Sequence, residues 1–277
     1  MKLLRIELVK LLRRPRTYIT FGVMFIIILL INLGIYLEGE TLLDFIFKPL
    51  SDQFVISGNL VNGYLLSHII LNTLWIHIPV LLSIVTANVI SGEIESGVIR
   101  FYLTRPIPRW KYMINKLFVA FVFADLFMLF LGIITFIPAL FLFGTGDLIV
   151  LLEGVQIIPE NELIQRFTWA FLYGVLSMSM FVSVTVLLST WLKNTLAAIL
   201  ASLGIFIVST LLQTFAFGIF ETWKPFLFSH HMGQWQLFFI LEIPWNEIWV
   251  SATILLFLTI VISAVTIMKF EKMQINT

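Results

Sequence analysis

Six apolar stretches, each long enough to cross a bilayer, constrain this chain more than any other feature. They run over 18–37, about 63–90, 117–143, 167–192, 195–217 and 249–268. A helix of about 20 apolar residues spans the hydrocarbon core. Inside a bilayer the backbone must satisfy its own polar groups, which favours helices for stretches of this length. The third stretch is long enough to tilt. Composition agrees: 60% of the 277 residues are hydrophobic and 12% are charged, against about a quarter charged in a soluble domain. Mean hydropathy is +1.02. A soluble fold, a disordered chain, collagen, a coiled coil and a disulfide scaffold are excluded. The expected class is an all-α, polytopic membrane protein with six transmembrane helices.

The distribution of charge predicts an orientation. Residues 2–16, 91–116, the connection at Lys193 and the tail hold fourteen of the seventeen Lys and Arg residues. The other three connections hold only Lys48, Arg166 and Lys224, together with eleven of the sixteen acids. Basic connections stay on the cytoplasmic side. The alternation fits six spans and places both termini in the cytoplasm, with the protein in the cell's inner (cytoplasmic) membrane. No secretory signal is expected, because no apolar core precedes the cluster Arg13-Arg14-Pro15-Arg16. The chain has no Cys, which rules out a disulfide, a thiolate metal site and haem attachment.

Two pieces outside the spans carry pattern. In residues 2–14, Leu4, Leu8, Leu11 and Leu12 share a helical face, with Lys10, Arg13 and Arg14 largely opposite. Pro15 ends that helix. It reads as an interfacial helix near anionic headgroups, or as a basic arm that only sets topology. In residues 91–116, Ile94, Val98, Phe101 and Tyr102 form an apolar stripe. Glu93 and Glu95 suit a helix N-terminus, and Arg100 lies nearer the other end. Pro106 disfavours helix at Arg105. A short cytoplasmic helix results. It could dock in a groove on another protein or pack on the chain's own membrane ends.

The run Gly92-Glu93-x-Glu95-x-Gly97-x-x-Arg100, then Leu103-Thr104-Arg105-Pro106-x-x-Arg109-x-x-Tyr112-x-x-x-Lys116, resembles the signature of ABC-2 permeases, the membrane subunits of type-2 ABC exporters. The order of parts is similar too: a basic interfacial helix at 1–16, the signature after span two, a long outer connection at 218–248 and a basic tail. His230-His231-Met232-Gly233-Gln234-Trp235 and Phe270-Glu271-Lys272-Met273 are similar to such permeases more weakly. The resemblance implies one transmembrane domain over 1–277. It implies a coupling helix within 91–109 that enters a cleft on a cytoplasmic ATPase, and an outer gate of re-entrant-like helices at 218–248. Glu93, Ile94, Glu95, Gly97, Val98, Arg100, Phe101 and Arg105 would then be the coupling positions. Val98 departs from the small or hydroxyl residue of many relatives. Cytoplasmic ABC ATPase subunits, a second permease protomer and membrane lipids are the implied partners, with no nucleic acid.

Chemistry on this chain is sparse. No Gly-x-x-x-x-Gly-Lys-Ser/Thr occurs, so ATP and Mg are expected on the partner ATPase and no cofactor or metal is expected here. Gly-x-Ser-x-Gly and His-Glu-x-x-His are also absent. The pair His230/His231 reads as interfacial polar residues rather than metal ligands. Asp125 is the one acid well inside a span, and such a carboxylate is paired or faces a cavity. With Asn72 and His77 it makes a possible intramembrane polar site that senses protons or contacts substrate, or it simply bonds to one of those neighbours in span two, which is the favoured reading. Ser177, Ser179, Ser183 and Thr185 in span four, and Ala197, Ala201 and Ser202 in span five, suit close helix packing. The expected function is the permease subunit of an ATP-driven exporter moving an amphipathic substrate. The alternatives are an intramembrane enzyme centred on Asp125 and a non-transporting membrane subunit of an ABC-like sensing or motility complex.

Overall fold

A computed structural model describes residues 2–51, 62–103, 108–151, 154–215 and 218–273. The chain order is α1 (Lys2–Arg13), α2 (Pro15–Ser51), α3 (Gly63–Leu74), α4 (His77–Thr86), α5 (Ser91–Glu95), α6 (Val98–Leu103) and α7 (Arg109–Phe143). Strands β1 (Leu148–Leu151) and β2 (Val155–Ile158) follow. The chain then runs through α8 (Glu160–Leu192), α9 (Thr195–Thr214), α10 (Phe228–Gly233) and α11 (Trp245–Glu271). Three 3-10 turns, Ala87–Val89, Gly218–Phe226 and Gln234–Phe239, complete the described elements.

Among the described residues, five helices are long and apolar enough to cross a membrane: Pro15–Glu38, Arg109–Phe143, Glu160–Leu192, Thr195–Thr214 and Trp245–Glu271. A sixth span exists if α3 and the His77–Val89 piece are taken together. This is the architecture of a multi-pass membrane protein. The first span ends at Glu38, where the backbone leaves helical geometry (φ −132°, ψ 27°) before helix resumes.

The second span departs from the continuous helix expected over 63–90. It breaks between Leu74 and His77 and bends by 57°. Pro79 explains the position. It has no N–H to give the carbonyl of Trp75, and its ring crowds that carbonyl. At the break, the His77 ring nitrogen Nδ1 lies 3.1 Å from the Thr73 carbonyl oxygen.

Helix α8 is the hub, packed by α7, α9, α11 and the Gln234–Phe239 turn. Its Ser177, Ser183 and Thr185 are fully buried, and each hydroxyl bonds back to its own helix. Small residues therefore line the most crowded helix, as the packing argument requires. Gly63 serves the crossing of α3 and α7, because a Cβ there would fall 2.6 Å from the Leu140 backbone.

The fold is not purely helical. Strands β1 and β2 pair antiparallel, with Leu148 opposite Ile158 and Leu151 opposite Val155. Leu148, Val150 and Ile158 are buried. The segment has alternating apolar residues too few to span a membrane and enough to cover the end of the bundle. Asp147 accepts from Glu160 N and so caps α8. Asn62 caps α3 and donates to the Asp147 carbonyl.

Helix α1 and the end of α11 lie at one end of the bundle, hereafter the α1 end. There α1 packs on the start of α7, and Arg109 donates to the carbonyls of Glu271, the last residue of α11, and Met273 just beyond it. At the far end, residues 222–243 form short helical pieces tucked among the long helices. His231, Met232, Trp235, Phe238 and Phe239 are buried there.

Candidate functional site

The α1 end holds a buried cluster of ionisable side chains drawn from three helices. Glu7 comes from α1, Glu93 from α5 and Lys116 from α7, each at most 3% exposed. Lys116 Nζ donates to Glu93 Oε1 at 2.6 Å and also to Glu7 Oε2. Lys10 bridges the same two carboxylates at 3.1 and 3.2 Å. Arg14 lies 3.7 Å from Glu93, and Tyr112 donates its hydroxyl to Glu93 Oε2. Two carboxylates thus face three cations. Such a group is tolerated in a low-dielectric interior only because almost every charge is paired. Burial pushes the Glu93 carboxyl up, but Lys116, the Tyr112 hydroxyl and Lys10 outweigh it and hold it below the usual Glu range. Burial lowers the Lys10 ammonium while Tyr102, Glu93 and Glu7 raise it, and the balance lies above the usual Lys range.

Aromatic rings wall the cluster. Lys10 sits 4.3 Å from the Tyr102 ring centroid. Tyr112 stacks on Phe270 of α11 at 5.5 Å and lies beside Tyr102 of α6. The cluster therefore ties α1, α5, α6, α7 and α11 together.

Local sequence explains how α5 delivers Glu93 inward. The Ser91 backbone N–H donates to Ser189 Oγ, and the Ser91 hydroxyl lies 2.9 Å from Thr195 Oγ1. Ser189 in turn donates to the Ala87 carbonyl. One face of α5 is thereby fastened to the end of α8 and the start of α9. Glu95 accepts from Thr195 N at 2.8 Å and from the Thr195 hydroxyl at 2.7 Å. An anion at that helix start is favourable, and the Thr195 bonds hold its carboxyl below the usual range. Gly97 has φ +70°, a conformation that separates α5 from α6 and favours glycine.

The expected coupling positions therefore divide. Glu93 does not lie on an open surface: it is buried in the charge cluster. Glu95 is exposed and caps α9, Ile94 is partly buried, and Gly97 makes the turn. Val98 and Phe101 face outward, 36% and 74% exposed. Between them Ile99 points into the core. Arg100 lies in α6, but its side chain falls outside the described residues, as does the whole of Arg105. The later part of the motif is structural: Arg109, Tyr112 and Lys116 share one face of α7 at helical spacing.

Glu7 is the member that sequence reasoning missed. The interfacial-helix reading placed Leu12 on the inward face. In the structure Leu12 is exposed, and the inward stripe is Leu4, Glu7, Leu8 and Leu11. The signal was present: Glu7 is the only acid before Glu38, and it sits within the leucine period.

Asp125, Asn72 and His77 do not converge. Asn72 donates to the His68 carbonyl and accepts from Gln236. His77 is exposed at the break in span two. Buried positions on α7 recur as Ala120, Phe123, Ala124, Phe127 and Met128, and Asp125 falls outside that stripe. It faces an open groove and has no hydrogen-bond or ion-pair partner among the described residues.

At the far end, Arg166 is buried and donates to the carbonyls of Phe238, Ile240 and Leu241 as well as to Glu162. Tyr173 donates to the His231 carbonyl. His231 has both ring nitrogens engaged, with Ser251 at 3.0 Å and the Pro225 carbonyl at 2.7 Å. His230 lies 3.1 Å from Gln234 Nε2. Among the described residues no three His, Cys, Asp or Glu side chains group to hold a metal ion.

No curated protein is matched by the sequence. One family model matches residues 24–276, described as a protein of unknown function, DUF2705. The match takes in Glu93, Tyr112, Lys116, the later candidate spans and the first span from residue 24 on, and leaves Glu7, Lys10 and Arg14 before it. The chain belongs to the DUF2705 family.

Proposed function

We propose that this protein is the permease subunit of a type-2 ABC exporter. On this reading it sits in the cytoplasmic membrane with the α1 end toward the cytoplasm. Two permease protomers would pair, and two ATPase subunits, carrying ATP and Mg, would dock beneath. Residues 91–109 would receive the ATPase motion, and an amphipathic substrate would be moved outward.

One observation carries the reading. Helix α6 presents Val98 and Phe101 outward, while the adjoining α5 is fastened by Glu93 to α1 and α7. A push on α6 would be delivered through a buried, charge-paired joint to the start of a 35-residue spanning helix. An apolar helix face suits a groove on a partner, and a large exposed Phe suits a central anchor of such an interface. The scatter of Asp125, Asn72 and His77 removes support from the enzyme reading, which needs groups converging on one reacting centre.

The test is capture of the tagged protein from its native cells in mild detergent, with partners identified by mass spectrometry. Wild type is compared with Phe101→Asp and Arg100→Glu. A stoichiometric ATPase held by wild type and lost from both variants is expected. A stable wild-type preparation without an ATPase would overturn the proposal.

A further inference from the structure

Between α7 and α8 lies a groove of about 690 Å³, open on one side, that runs from Asp125 toward the far end. Its walls include Leu129, Phe136, Phe167, Phe171 and Val175. Sites for small organic ligands are typically about 300–1,000 Å³, mostly apolar, with few polar groups. Here the acidic group is a single carboxylate.

That carboxylate is the anomaly. Asp125 lies sixteen residues into α7, roughly 24 Å along the helix axis, near the middle of a span. It has no ion-pair or hydrogen-bond partner among the described residues. An ionisable group at such depth is costly and marks a ligand or ion path when it has no internal partner.

A second copy of this chain could supply no Lys or Arg at that depth. In the candidate spans, every Lys and Arg lies within about two turns of a helix end. The deepest, Lys116 and Arg166, are committed to Glu7 and Glu93 and to the far-end carbonyls. A lipid acyl chain would fill the apolar walls and leave the carboxylate unanswered. A hydrophobic cation answers both. Its charge would sit at Asp125, and its apolar body would lie on the aromatic walls, whose faces attract cations.

We propose that the groove between α7 and α8 binds a hydrophobic organic cation, with Asp125 as its counter-charge. This goes beyond the exporter reading and does not depend on an ATPase.

The test uses the full chain in phosphatidylcholine nanodiscs with radiolabelled tetraphenylphosphonium, empty nanodiscs supplying the background. Saturable binding at one site per chain is expected. Tetraphenylborate, of the same shape and opposite charge, should compete at least tenfold more weakly. Asp125→Asn should weaken tetraphenylphosphonium at least tenfold. Val175→Trp should block it with the carboxylate intact, since Gly174 beside it already approaches Met128 of α7. Should Asp125→Asn fail to fold, Val175→Trp decides alone. Absence of saturable binding, unchanged affinity in a folded variant, or equal binding of the borate would overturn the proposal. So would a disulfide-linked dimer formed by Leu129→Cys, because this otherwise cysteine-free chain would then be placing a second copy in the groove. ATPase capture and cation binding are separate measurements, so either proposal can fail while the other stands.

Discussion

At the α1 end, side chains hold side chains: Glu7, Glu93, Lys10, Lys116 and Arg14 join helices through mutual charge. At the far end, side chains hold backbone. Arg166, Tyr173 and Ser177 donate to carbonyls of residues 231–241, a run of short helical turns. The first arrangement fixes how helices stand relative to each other and depends on every member's charge. The second fixes the shape of an irregular segment and depends on a few donors. A joint made of paired charges can transmit a shift as a unit. A cap made of carbonyl bonds resists deformation.

The largest effect should come from Lys116→Met. It leaves Glu7 and Glu93 buried without their main cation, and breaking a buried pair costs about 3–5 kcal/mol. Thermal unfolding in detergent should show the loss. Adding Glu93→Gln should recover part of it, because fewer unpaired charges remain. Full additivity of the two changes would break the picture of a coupled cluster.

Arg166→Gln should come next. Loss of a charged donor serving three carbonyls costs about 2–3 kcal/mol. The effect should be local: hydrogen exchange should accelerate over 231–241 and stay unchanged over 91–103. Equal acceleration at both ends would show that the two ends are one cooperative unit.

A smaller change is expected at Glu95. Replacing it with Ala removes the cap on Thr195 and should cost about 1 kcal/mol. Hydrogen exchange should rise at the start of α9 and not at α1.

pH gives the mildest probe. Glu93 is held below its ordinary value of 4.5. A depressed carboxyl contributes stability that is complete above that ordinary value and is lost as pH falls through its folded value. Lys10 is raised above its ordinary 10.5, so its contribution is complete below that value and is lost only in stronger base. Protection of α1 against proteolysis should therefore be flat from about pH 5.5 to 9. It should fall in acid. Loss of protection near pH 7 would contradict the charge arrangement.

Much of the fold was legible because one force dominates it. A bilayer needs about 20 apolar residues per crossing, and six stretches of that kind were plain. The break in span two was written in Pro79, yet a hydropathy reading smooths over a single proline. The hairpin at 148–158 was obscured because two four-residue strands carry too little pattern to separate from a loop. The candidate site was half legible. Motif residues Glu93, Tyr112 and Lys116 stood out, but Glu7 did not, since its partner lies 109 positions away.

The sequence by itself determined where the apolar helices lie, how charge alternates along the chain between them and where proline ends the first short helix. Each depends on neighbours along the chain: apolar length, Lys and Arg counts, proline and glycine. Tertiary structure alone decided which acid faces inward. Glu93 and Glu95 are two residues apart, about 200° around a helix, so they must point to different sides. Local chemistry treats them alike. Packing against Lys116 and Thr195 sends one into the protein and the other to the start of α9. The same holds for Asp125, whose place beside the buried stripe of α7, rather than on it, leaves its carboxylate facing the groove.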